Sequence, residues 1–241
     1  MNDQPNLMAD TNDFEFEALK EAKNYRTALV REFSPFLKGD VAEIGAGVGQ
    51  MTELLARLPA VRRAVAVEPD AAYCARHRAA FPKHEVLQGT VSNLSPSASW
   101  DAVLSINVLE HIRDDQSELK RYADLLRERR GALCLFVPAG PAIYAPIDKD
   151  FGHFRRYTRP ELRRILLQAG FDIVRLNYFN ALGFLVWWLN FRILKKRCFE
   201  RATVRLFDRA IFPIVYALES KIIAPPFGQS LIVVARCGKS T

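Results

Sequence analysis

Three glycines alternate through Gly45-Ala46-Gly47-Val48-Gly49, and this short stretch constrains the fold more than any other. An apolar run from Val41 to Ile44 leads into it. Helical spacing then opens at Gln50 and continues through Met51, Leu54, Leu55 and Leu58. The pattern predicts a strand, a tight turn and a helix. Glycine belongs where the backbone takes φ > 0 or where a ligand lies against bare main chain. The start of the helix leaves N–H groups unpaired in the same crevice. A βα turn with no ligand is the plainer alternative, but three glycines within five residues argue for a bound molecule.

Charge indicates which kind of molecule. A dinucleotide loop reads G-x-G-x-x-G because a pyrophosphate must approach the helix N-terminus. Here the third glycine comes one position early, and Glu43 stands two residues before the first. A carboxylate there repels a diphosphate and attracts an ammonium or sulfonium. A second acid, Glu68, ends the next apolar run (Ala64 to Val67) and is followed by Pro69. It stands where this architecture places an acceptor for ribose hydroxyls. The expected ligand is a nucleoside with a cationic amino-acid tail, which disfavours the rival reading of a nicotinamide oxidoreductase.

These residues resemble the class I S-adenosylmethionine-dependent methyltransferases. The resemblance rests on E-I-G-A-G-V-G at 43–49, Glu68 after the second strand, and W-D-A-V-L-S-I-N-V-L-E-H-I at 100–112. It covers roughly 24–180 and a last strand near 230–236. It implies S-adenosylmethionine as cofactor and S-adenosylhomocysteine as product. The glycine turn (Gly45, Ala46, Gly47, Gly49) would lie along the methionine part, and Glu68 would hold the ribose. Tyr25, on a helix before the first strand, would close over the cofactor as in the family; a plain packing role is the alternative. Many members carry an acid after the glycine that follows strand three. Here Thr90 or Val91 follows Gly89, so adenine would be met by a hydroxyl, main chain and apolar contact.

The implied fold is α/β: a Rossmann-like, doubly wound seven-stranded sheet, its last strand antiparallel, with a helical insertion before that strand. The pattern places strands at 41–44, 64–67, 85–87, 102–106, 131–137, 171–179 and 231–235, the last as an antiparallel partner at the edge. The 241 residues suit one such domain, with 1–12 a disordered polar lead-in and 180–228 the insertion. A first helix is expected over Phe14 to Phe33, and another from Gln50 to about Leu58. That lead-in has no apolar signal core, so a cytoplasmic location is expected. The four cysteines (74, 134, 198 and 237) are far apart, which suggests reduced, buried thiols. A net charge of +7 favours anionic partners.

Asn107, Val108 and the pair Glu110-His111 leave the fourth strand on the face where open α/β sheets bind ligands. His111 is a candidate for proton transfer, although shaping the cofactor pocket is the stronger reading. N-P-P-Y is absent after this strand, which weakens a nucleic-acid methyltransferase. The segment D-K-D-F-G-H-F-R-R-Y at 148–157 precedes a well-marked helix start, with Thr158 and Glu161 as a capping box and Pro160 in the first turn. It therefore hangs over the same sheet end. His153 is the preferred general base. Arg155, Arg156 and Tyr157 suit a carboxylate or phosphate on the acceptor. A loop in which both arginines pair with Asp148 and Asp150 is an equal alternative. Asp148, Asp150 and His153 have no metal-ligand spacing, so no metal is expected.

The insertion pairs apolar runs (Leu182 to Leu189, Ala210 to Leu218) with Arg192, Lys195, Lys196, Arg197, Arg201, Arg205 and Arg209. Neither run approaches the roughly 20 residues of a membrane span. The expectation is a lid over a hydrophobic or lipid-linked anionic acceptor, with peripheral contact to anionic lipid on the inner membrane face. A helical hairpin packed on its own sheet is the alternative. A non-catalytic cofactor-binding accessory subunit is the remaining rival to an enzyme methylating oxygen or nitrogen.

Overall fold

The computed structural model describes residues 20–95, 99–196, 201–221 and 225–238. The lead-in 1–12, the first part of the expected first helix (Phe14, Leu19), and Arg197, Cys198 and Glu200 lie outside the described residues. Seven strands form one sheet: β1 (Gly39–Ile44), β2 (Val61–Glu68), β3 (Glu85–Gln88), β4 (Ala102–Ile106), β5 (Ala132–Pro138), β6 (Phe171–Phe179) and β7 (Ser230–Cys237). Their order is β3-β2-β1-β4-β5-β7-β6. The pairs among β1 to β5 are parallel, while β7 is antiparallel to both β5 and β6. The antiparallel strand is thus internal, and β6 forms the edge that the sequence pattern assigned to β7. All of β7 except Arg236 is buried, as a strand between two others requires.

Alternation sorts the core into two layers. Leu133, Leu135 and Val137 of β5 join Leu231, Val233 and Ala235 of β7 in one layer, and Ala132, Cys134 and Phe136 join Ile232 and Val234 in the other. Successive side chains of a strand point to opposite faces, so a strand covered on both sides reads as an unbroken apolar run. The helices α1 (Lys23–Phe33) and α2 (Gln50–Leu55) follow in the second layer. Next come α3 (Ala71–Ala80) and α4 (Asp115–Arg127), then the short α5 (Pro146–Asp150) and α6 (Arg159–Gln168). Local chemistry starts three of them: Asp70 accepts from Ala72 and Tyr73 N–H, Asp114 from Ser117 N–H, and Thr158 Oγ1 from Glu161 N–H. Cys74, Cys134 and Cys237 are buried free thiols.

The insertion consists of helix α7 (Ala181–Trp187), continued by a π-helical turn to Ile193, and of α8 (Arg201–Leu206), continued through a π turn into α9 (Phe212–Lys221). It packs on the domain. Phe212 is buried with Phe136 and Phe179, while Trp187 and Phe191 are buried with Ile143, Ile147 and Phe151. Acids fasten it at helix starts. Helix α1 begins at Lys23 because Ala22 leaves helical geometry and offers no side-chain cap. The Asp208 carboxylate, from the far end of the chain, accepts from Asn24 and Tyr25 N–H at 2.9 Å each. Glu219 likewise accepts from the N–H groups of Asn180 and Ala181. Asp208→Ala should therefore cost about 1–2 kcal/mol, the range of a lost N-cap. Urea denaturation compared with the parent checks this, and an unchanged midpoint would mean that α1 needs no cap.

Candidate active site

Two cavities open at the C-terminal ends of the parallel strands. The larger, about 460 Å³, is lined by the glycine turn, the ends of β1, β2 and β4, and α1. It takes in Tyr25, Glu43, Gly45, Ala46, Glu68, Pro69, Thr90, Val91, Asn107, Val108 and His111. Gly47 and Gly49 shape the turn without lining it. The turn needs its glycines sterically. Gly45 and Gly49 have φ of +72° and +86°, and a Cβ would run into Val108 at the first and into the His77 ring at the second. His77, which the sequence reading overlooked, hydrogen-bonds His84, which in turn meets Glu53, so this imidazole pair supports the turn from below.

The acids behave differently from one another. Glu68 Oε2 accepts from Gly47 N–H at 2.8 Å and Oε1 from Asp70 N–H at 3.0 Å. A carboxylate has about four lone-pair sites, so both oxygens keep room for hydroxyls. Glu43 is buried, and Thr52 donates to it at 2.6 Å. Burial pushes its carboxyl up to about 8, against the Thr52 hydrogen bond and with Glu68 adding to the rise. The rise favours the protonated form of Glu43 near neutral pH, and a cation beside it favours the carboxylate. This crevice suits a ligand with hydroxyls near Glu68 and positive charge near Glu43.

The second cavity, about 230 Å³, lies beneath the insertion and is lined by Tyr25, Phe151, His153, Arg156, Val186, Trp187 and others. Tyr25, Asn107 and Phe151 line both spaces, which makes these three residues a shared border, or neck. Asn107 holds a left-handed φ of +53°, which asparagine tolerates better than most side chains. His111 in the crevice meets His153 in the apolar cavity edge-on, with centroids 4.7 Å apart. Burial, then the neighbouring His153, lowers His111 to about 4, which makes it a neutral ring and a weak base.

His153 is anchored by Asp148, whose Oδ1 lies 3.1 Å from Nδ1. A buried carboxylate at that nitrogen fixes the proton on Nδ1 and presents the Nε2 lone pair. Asp148 Oδ1 also accepts from Arg156 Nε at 2.8 Å, and Oδ2 accepts from Ala145 N–H. Arg156 lies over the Trp187 ring at 4.4 Å and reaches the apolar cavity. Arg155 turns the other way, to Asp115 at 2.6 Å and the Arg113 carbonyl. Tyr157 is buried and donates to Asp115 at 2.9 Å. Neither Arg155 nor Tyr157 lines either of these two cavities. Their place is in the wall, because Asp115 draws both away from the sheet end. The single D-x-x-x-G-H-x-R-R run at 148–156, which sets Asp148 close in sequence to His153 and Arg156, was the available sign that one acid serves both.

A mostly parallel sheet with an internal antiparallel last strand and an acid-flanked glycine crevice defines an α/β domain built to hold a nucleoside cofactor. A family model described as a methyltransferase domain matches residues 19–176. The chain is similar to a protein of Mycobacterium tuberculosis (strain ATCC 25618 / H37Rv) described as a probable S-adenosylmethionine-dependent methyltransferase. The two are 32% identical over 148 residues, which is 59% of this chain and 52% of that protein. The chain thus spans about half the length of the curated relatives it matches. Among solved structures, an S-adenosylmethionine-dependent methyltransferase from Clostridium acetobutylicum has the same fold with a TM-score of 0.59. It is 12% identical and covers 90% of this chain and 92% of its own. A chain of the complex between the Haloferax volcanii Trm112 methyltransferase activator and a methyltransferase gives a TM-score of 0.65 at 15% identity, covering 98% and 100% of the two chains. The chain belongs to the class I S-adenosylmethionine-dependent methyltransferases.

Two outcomes follow from this geometry. Asp148→Ala leaves Arg156 buried without its carboxylate and should destabilise the chain by about 3–5 kcal/mol in chemical denaturation. Cofactor binding should release a proton from Glu43, so affinity should rise from pH 6 towards 8, where the ligand's own amine begins to titrate at about 8. Calorimetry at pH 7 in buffers of different ionisation heat reads this directly. A binding heat independent of buffer would disprove the coupling.

Proposed function

We propose that the chain transfers a methyl group from S-adenosylmethionine to an oxygen, or a nitrogen, of a small hydrophobic acceptor held in the apolar cavity. The supporting observation is the neck: Tyr25, Asn107 and Phe151 border the glycine crevice on one side and the apolar cavity on the other. When bound, the cofactor supplies a methyl carbon already activated by a positively charged sulfur. The protein then has mainly to align and desolvate. Tyr25 and Phe151 orient the acceptor, and the insertion excludes water. His153 accepts the acceptor's proton at Nε2 while Asp148 holds Nδ1–H and stabilises the imidazolium that forms. Arg156 gives the cavity one buried cation, suited to an acidic group on the acceptor, while Arg155 and Tyr157 brace the loop.

The outer face of the insertion favours a lipid-linked acceptor. Leu185, Trp188, Leu189, Ile193 and Leu194 are exposed, with Trp188 at 44% and Leu194 at 56%, beside exposed Arg192, Lys195 and Lys196. Apolar side chains flanked by cations suit an anionic membrane interface. No helix among the described residues is long and apolar enough to cross a membrane. Contact would therefore be peripheral.

His153→Ala should lower turnover by about 10²- to 10⁴-fold, the usual share of a general base, with cofactor affinity unchanged. Formation of S-adenosylhomocysteine from a panel of hydrophobic hydroxy-acids measures it, and undiminished turnover would remove His153 from the mechanism. Wild type should sediment with phosphatidylglycerol vesicles, and Trp188→Ser with Leu189→Ser should sediment less. Equal sedimentation with neutral vesicles would remove the membrane surface from the proposal.

A further inference from the structure

Glu110 and His111 are adjacent in the turn after β4, and His153 lies some forty residues later, so sequence spacing alone does not suggest a metal. The fold brings them together. One ligand atom from each of the three falls within 4.8 Å of the others. Glu110 Oε1 and His153 Nε2 are 3.9 Å apart. That is too long for a hydrogen bond. Two atoms each about 2.1 Å from a metal stand at most about 4.2 Å apart, so this pair already lies within reach of one ion, while a spread of up to 4.8 Å across the three requires a side chain to draw in on binding.

We propose that Glu110, His111 and His153 form a binding site for a first-row divalent cation of the Zn²⁺ class. One carboxylate oxygen and two imidazole nitrogens make a mixed set that suits such an ion better than Mg²⁺ or Ca²⁺, which favour all-oxygen shells. The surroundings are those of a built site. Glu110 is fully buried, and its carbonyl accepts from Phe154 N–H at 2.8 Å, tying the two ligand-bearing segments together. Asp148 at His153 Nδ1 is the outer carboxylate that orients a ligating histidine and raises its basicity.

Position gives the site a use. His111 lines the cofactor crevice and His153 the apolar cavity, so three protein ligands leave the remaining coordination position at the neck. An acceptor oxygen could occupy it. The inference shares with the proposed function the placement of His153 between the cavities, but an ion on Nε2 takes the lone pair that would otherwise accept the acceptor's proton; in the metal-loaded chain the ion, not His153, would make an acceptor oxygen more acidic. Occupancy itself is measured without turnover.

The test uses the full chain, stripped with chelator and titrated with Co²⁺ and then Zn²⁺. One Co²⁺ per chain should bind, with visible absorption of a nitrogen–oxygen site, and one equivalent of Zn²⁺ should displace it. His111→Gln and Glu110→Gln should each weaken binding at least tenfold. His84→Gln, in the His77–His84–Glu53 chain, should bind as the parent does. Should Glu110→Gln fail to fold, the partly exposed His111 decides through its own variant. No stoichiometric uptake by the parent overturns the site, as does uptake unchanged in His111→Gln or lost in His84→Gln.

Discussion

The carboxylate of Asp148 organises the working end of this molecule. It is fully buried and accepts from Ala145 N–H and Arg156 Nε, with His153 Nδ1 beside it. An ion pair in such a place is weak evidence for stability, because desolvation offsets most of the attraction. Its value here is positional. One acid starts a short helix, fixes the tautomer of an imidazole and holds a guanidinium against Trp187. A second acid, Asp115 on α4, takes Arg155 and the Tyr157 hydroxyl. The loop is therefore stretched between two carboxylates, and the adjacent arginines serve opposite anchors.

The same device attaches the insertion. Asp208 and Glu219 sit at helix N-termini that have backbone N–H groups to satisfy and favour negative charge. Glu32 adds a third fastening, accepting from Arg175 and from Tyr216. Tyr25 then packs edge-on against Phe136 and Phe179 and meets Phe212 of the insertion, so its ring belongs to the core as well as to both cavities. The ring contacts show the packing role of Tyr25, and its place in the lining of the larger cavity leaves it beside any ligand held there.

Local pattern made much of this legible. The alternation of β5 and β7, the glycine turn and the start of α6 each depend on residues within a few positions of one another. The crevice side chains follow from those elements, since they stand at strand ends whose direction the topology sets. What the sequence hid is long-range. Nothing near Arg155 distinguishes Asp115 from the closer acids, and nothing near Asn24 points to Asp208. The internal position of β7 was hidden for a related reason: a strand buried on both faces reads alike at any place inside a sheet. His111 and His153 come together only because the β4 turn and the 148–157 loop share one end of that sheet.

The two cavities differ in polarity, and that difference constrains the chemistry. Glu43, Glu68 and the turn's main chain give the larger one the means to hold charge and hydroxyls. The smaller one offers aromatic and aliphatic walls with only His153, Arg156 and a few amide and hydroxyl groups. On the proposed function, a cation held in the first and an apolar body held in the second would meet at the neck, where transfer of a methyl group would neutralise the positive charge. Low polarity on the acceptor side favours that loss of charge, since dispersing charge is easier than creating it where water is excluded. On that proposal, the glycine crevice and the aromatic insertion are two halves of one requirement: hold the charge firmly, then give it somewhere apolar to disappear.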